Sequence, residues 1–97
     1  MAPPTLEEIA DDVGAVVAPA KSYQRLVRAN KTLAYVEPRK LGFRLNFRGI
    51  DLEDAPKTAL RDAEAKGDRV VLLVEGDATA ARKLLRHVAQ RLGAEVA

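Results

Sequence analysis

The chain has 97 residues, no cysteine and a net charge of +2, with 47% apolar and 31% charged side chains. This length predicts one domain over residues 1–97, with a modest core burying roughly 60–70% of the unfolded chain's surface. The absence of cysteine excludes disulfides and thiolate metal centres, and the longest solid apolar run, Val70 to Val74, is too short to cross a bilayer.

Residues 1–4 read as a disordered lead without a basic or long apolar leader, which predicts a cytoplasmic protein with no membrane partner. Thr5 and Glu8 have capping-box spacing, and Leu6, Ile9, Ala10, Val13, Val16 and Val17 recur at helical intervals. A first helix is therefore expected up to the break at Pro19, with Glu7, Glu8, Asp11 and Asp12 near its positive end. A weak strand follows over Ser22–Ala29, a tight turn at Asn30–Lys31, and a second strand over Thr32–Glu37. Pro38 and Gly42 supply turn chemistry. From Phe43 to Arg48 the alternation is strict, with Phe43, Leu45 and Phe47 toward a core and Arg44, Asn46 and Arg48 toward solvent.

Asp54, Pro56 and Gly67 punctuate an alanine-rich second helix. The continuous apolar strand after Asp68 belongs in the sheet interior, since such an edge invites aggregation. Asp77 then caps a last helix whose stripe is Ala81, Leu84, Leu85, Val88 and Leu92, stopped by Gly93. The order α-β-β-β-α-β-α predicts an α+β two-layer sandwich, a four-stranded mostly antiparallel sheet with three helices.

Sequence signals for enzymatic chemistry are weak. The single histidine, His87, has no acid beside it and no metal-ligand spacing, and reads as a surface or boundary residue. No nucleophile elbow or phosphate-binding glycine loop is present, so the expectation is a non-enzymatic protein without a cofactor or metal. Asp51, Glu53 and Asp54 followed by Glu64-x-Lys66 have the spacing of some metal-dependent nucleases. Glu64 and Lys66 fall on the expected second helix, however, where positions i and i+2 diverge by about 200°. The spacing there reads as coincidence.

Charge is distributed unevenly. Between residues 21 and 48 eight bases stand against one acid, Glu37. Arg25, Arg28, Lys31, Arg39, Lys40, Arg44 and Arg48 are the candidate nucleic-acid-binding residues, since Arg and Lys presented from a sheet neutralise phosphates. Tyr23 or Tyr35 would add stacking. The plain reading of the same pattern is a solvated sheet face lined by basic side chains.

The stretch Lys21–Phe47, with the late Gly67-Asp68 step into an apolar strand, resembles a bacterial domain of unknown function. That domain occurs alone, in predicted transport proteins, and at the C-terminus of GmrSD-type restriction endonucleases. The resemblance rests on Lys21 to Tyr23, Val36-Glu37-Pro38, the basic Arg39 and Lys40, and the alternation Phe43–Phe47, and spans most of residues 6–92. It implies no catalytic residue and, by association alone, company with nucleic acid. The expected function is a small binding module that contacts phosphate backbones. The alternative is a protein-interaction domain or homodimer, pairing the acidic first helix with the basic face.

Overall fold

In the computed structural model, which describes residues 5–19, 23–40 and 42–93, Thr5 caps the first helix as its spacing predicts. Its Oγ1 accepts the Glu8 N–H at 3.1 Å, and α1 spans Leu6–Asp12. The predicted lead and Lys21 lie outside the described residues.

α1 ends well before Pro19. Ala15 N–H donates to Ala10 O at 2.8 Å and Gly14 N–H to Asp11 O at 3.1 Å, with Gly14 at φ +71°. This is a Schellman stop, built on a glycine in the left-handed region. The β-branched residues beyond it form β1 (Val16–Pro19) instead of another helical turn.

β2 (Gln24–Arg28) and β3 (Lys31–Pro38) form a hairpin. Its two-residue turn is Ala29–Asn30, both at positive φ (51° and 64°), one position earlier than expected. Two such angles make a type I′ turn, whose twist suits a hairpin. The register slips once: Leu26 faces Ala34 and Val27 faces Thr32, leaving Leu33 as the extra residue of a bulge. β4 (Phe43–Arg48) returns antiparallel to β3.

One turn of 3-10 helix (Gly49–Leu52) and a short α2 (Lys57–Leu60) lead to β5 (Ala63–Lys66) and β6 (Arg69–Val74). α3 (Thr79–Arg91) closes the fold. Asp77 Oδ1 accepts from Thr79 Oγ1 at 2.6 Å and from Thr79 N–H at 2.9 Å. These two bonds, the hydroxyl's first, hold the Asp77 carboxyl below its ordinary pKa.

The molecule is α+β, with three α-helices and one antiparallel sheet among the described residues, in the order β1-β2-β3-β4-β6-β5. The sheet has six strands, not the four expected from sequence. Both extra strands are four-residue edges taken from segments expected to be helical. In β5 the helix propensity of Ala63-Glu64-Ala65-Lys66 gives way to pairing. A two-residue loop, Gly67–Asp68, folds the segment back onto β6, which would otherwise leave a long apolar edge open.

One face of the sheet meets the helices. Leu26, Ala34, Val36, Phe43, Leu45, Phe47, Leu72 and Val74 form a single core with Leu6, Ile9 and Ala10 of α1 and Ala81, Leu84, Leu85, Val88 and Ala89 of α3. The phenylalanines and Leu45 thus turn inward as the alternation predicts, at 7%, 0% and 1% exposure for Phe43, Leu45 and Phe47. Among the described residues, no helix is long and apolar enough to cross a membrane.

Candidate nucleic-acid interface

Residues that alternate with the core set project from the opposite, outer face of the sheet. Cross-strand register arranges them in transverse rows. One row runs Ala18, Arg25, Tyr35, Asn46, Val71, Glu64 from β1 to β5. A second carries Glu37, Arg44 and Leu73. A third places Arg48 opposite Arg69 and Arg69 opposite Lys66, three cations abreast on β4, β6 and β5. Neighbouring strands lie about 4.8 Å apart, and like charges set directly opposite destabilise a sheet.

One acid steadies the end of this basic row. Asp51, buried in the 3-10 turn, accepts from Arg48 Nε at 2.8 Å and Arg48 Nη2 at 3.1 Å. The hydrogen bonds, and then the charge of Asp51, raise the Arg48 pKa above its already high ordinary value. The fork is fixed in orientation, while its side chain stays 60% exposed. The other ion pairs among the described residues, Arg82–Asp12 and Arg91–Glu53, tie α3 to α1 and to the loop before α2. Arg69 and Lys66 are in none of these pairs.

The aromatic content of this face is just as uneven. Tyr23 and Tyr35 meet edge to face, ring centroids 5.4 Å apart, and each is 39% exposed. Beside them lies a hollow of about 400 Å³, bounded by Glu37, Asn46, Arg48 and Arg69. Asn46, expected in solvent, is only 6% exposed, because Nδ2 donates to Glu37 Oε1 at 2.8 Å and Tyr35 and Val71 flank it. Val71 is likewise buried yet stands outside the main core, covered on the outer face.

The seven basic residues singled out from sequence divide among three places. Arg25, Arg44 and Arg48 share the outer face, with Arg25 Nη1 donating to Thr32 Oγ1 at 3.4 Å. Arg39 and Lys40 are exposed in the β3–β4 turn. Arg28 and Lys31 lie on the helix side: Arg28 Nη1 donates to Val13 O at 2.9 Å, and Lys31 Nζ donates to Leu92 O. Strand alternation and the bulge separate these two from the outer set.

Lys66 is hidden in the sequence because the segment before Gly67 has helical propensity, and Arg69 because it opens an apolar strand that reads as sheet interior. The signal was there as a basic pair bracketing the Gly67–Asp68 loop. The same correction moves Glu64 and Lys66 onto a strand, where i and i+2 share a face, so the argument from helical divergence fails. Even so, among the described residues no three acidic, His or Cys side chains group closely enough to hold a metal. His87 is a boundary residue: Nε2 lies 2.9 Å from Glu53 O and, facing a carbonyl, is the protonated nitrogen.

No family model, curated protein or solved structure matches this chain.

Proposed function

We propose that this protein is a small non-enzymatic binding module whose outer sheet face, opposite the helices, takes the phosphate backbone of a nucleic acid. The observation that carries the reading is the row Arg48–Arg69–Lys66. A fold gains nothing by aligning three cations; a polyanion laid across them relieves the repulsion and supplies the missing counter-charge. Arg25 and Arg44 extend the positive field over the same face, against Glu37 and Glu64. Arg39 and Lys40 add charge at the end of the β3–β4 hairpin. The sequence resemblance to a domain that accompanies restriction endonucleases points the same way.

Fluorescence anisotropy on labelled duplex and single-stranded DNA tests this. If about four phosphates are neutralised on duplex, log affinity falls against log salt with a slope near −3.6. Absence of binding by micromolar protein at low salt overturns it.

A second reading has one observation in its favour. Glu7, Glu8 and Asp11 are exposed on α1, an acidic surface complementary to the basic face. Head-to-tail pairing of chains follows from that complementarity. Sedimentation equilibrium at low and high salt decides: a salt-sensitive dimer supports it, and a monomer at both rejects it.

A further inference from the structure

We infer that the ligand of this face is a single strand, held with its phosphates along the Arg48–Arg69–Lys66 row and a base laid against the Tyr23–Tyr35 pair. The inference rests on the phosphate-binding reading above and adds the strand state and the stacking site.

The chain has two tyrosines, two phenylalanines and no tryptophan. Both phenylalanines are in the core. Both tyrosines are on the outer face and in contact with one another. Both tyrosine rings are therefore gathered at one point, on the face that no helix among the described residues covers. The hollow next to the rings has tyrosines on one side and Arg48 and Arg69 on another. That is the alternation a nucleotide chain offers: an anionic link, then a planar ring. Its volume of about 400 Å³ lies at the small end of the range for sites that hold a ring-sized ligand.

Strand state follows from access. In a duplex the faces of the bases are stacked on each other, and a flat sheet reaches only phosphates and groove edges. A tyrosine meets the face of a base only when the base is unpaired. A second copy is a poorer occupant, because α1, the acidic element it would present, carries carboxylates for the basic row and no planar ring for the tyrosines. The polar edge of the hollow fits a base as well. Glu37 Oε1 is taken by Asn46, which leaves Oε2 as an acceptor. Arg48, with Nε and Nη2 held by Asp51, presents Nη1 as a positioned donor.

The site carries its own reporter, since Tyr23 and Tyr35 are the only tyrosines and no tryptophan masks them. Oligothymidylate of about twelve nucleotides is titrated beside an abasic oligomer of equal length and a duplex. Anisotropy gives affinity, and tyrosine emission gives contact with the rings. The expected result is binding of thymidylate on the order of tenfold tighter than the abasic strand, with tyrosine quenching by thymidylate alone. Tyr23→Leu combined with Tyr35→Leu abolishes that preference and leaves abasic binding intact, whereas Tyr35→Phe, which keeps the ring, retains it. Equal affinity for thymidylate and abasic strands, or tighter binding of duplex, overturns the stacking inference while the phosphate reading stands. Failure of all three to bind removes both.

Discussion

Arg28 and Lys31 stand directly opposite each other across the β2–β3 turn, and each donates to a carbonyl at the C-terminal end of a different helix. Val13 is the C-cap of α1 and Leu92 that of α3. Carbonyls at such ends lack intrahelical partners and sit at the negative pole of the helix, so a cation there is favourable. One hairpin thus fastens two helices. Its basic residues serve the fold, although by sequence they belong to the same charged segment as Arg44 and Arg48.

Replacing them should therefore alter stability and leave the proposed nucleic-acid binding alone. The Arg28 hydrogen bond is charge-assisted, but its Nε is buried with no partner, which offsets part of the gain. Arg28→Ala is expected to lose about 1 kcal/mol in urea denaturation, and Lys31→Ala about 0.5 kcal/mol, the latter shrinking in high salt. A drop in DNA affinity for Arg28→Ala matching that of an outer-face variant would contradict the division of charge between the two faces.

The basic row predicts the opposite pairing of effects. Arg69→Gln removes a cation flanked by Arg48 and Lys66, so the fold should gain a few tenths of a kcal/mol at low salt. The same change should weaken binding to all sequences alike and make the salt slope shallower by about 0.9 on duplex. Denaturation and anisotropy on one protein sample check both. A variant that is less stable yet binds normally would show the row to be structural.

Gly42 has no tolerance for a side chain. A Cβ placed there lies 1.9 Å from the Val74 carbonyl oxygen, on backbone already at φ +89°. Gly42→Ala should lose about 3 kcal/mol or more, combining strain with a forced separation of β4 from β6. Gly76→Ala, where a Cβ meets nothing within 4 Å, should stay within about 0.5 kcal/mol of the parent. Thermal melts of the two variants side by side make the comparison.

Ala29 should respond in the other direction. It occupies the left-handed region at φ 51°, which an L-alanine adopts at a cost of about 1–2 kcal/mol. Ala29→Gly removes that strain and adds chain entropy to the unfolded state, for a net gain of about 0.5–1 kcal/mol. No gain in urea midpoint would mean that the turn is held by something other than its dihedral angles.

Asp77 gives a pH signature. Its folded pKa is depressed from the ordinary 3.8 by the Thr79 hydroxyl and amide. A depressed carboxyl contributes stability above its unfolded pKa, and that contribution fades as pH falls through the folded value. Asp77→Ala should melt lower than the parent at pH 7. The gap should close on acidification below about pH 4 and vanish once both states are protonated. A gap unchanged at the lowest pH would show that the carboxylate, one residue ahead of the N-cap Ala78, does not stabilise the helix start through Thr79.

Where one interaction dominates a segment, the sequence announces it. The inward set Phe43, Leu45 and Phe47, the Thr5 cap and the stripe of α3 each rest on local spacing and are realised, while Asn46, expected in solvent, is buried on the outer face. The edges were illegible for a shared reason. Val16–Pro19 and Ala63–Lys66 have helical spacing or propensity, and what makes them strands is pairing with the next strand in the chain, helped by a glycine at positive φ, Gly14 before the first and Gly67 after the second. The site suffered from the same blindness. Arg44 and Arg48 could be assigned to the outer face from their own strand, but Lys66 joins them only through the β5–β6 hairpin. Conversely, Arg28 is three positions from Arg25 and shares its face with the buried Leu26, so alternation alone sends it toward the helices once the strand is known to start at Gln24.

The two short border strands set what can happen beyond the molecule. A sheet left open at its margins is a template on which further chains can polymerise, one backbone ladder at a time. Here β1 is four residues long and ends in Pro19, which has no amide to offer, and β5 is four residues long and alternates alanine with Glu64 and Lys66. Each border gives an incoming strand few bonds and either a missing donor or a charge to accommodate. The lengthening of the sheet from four strands to six is thus also its termination, and fibrous growth is checked at both flanks by the border strands' own residues.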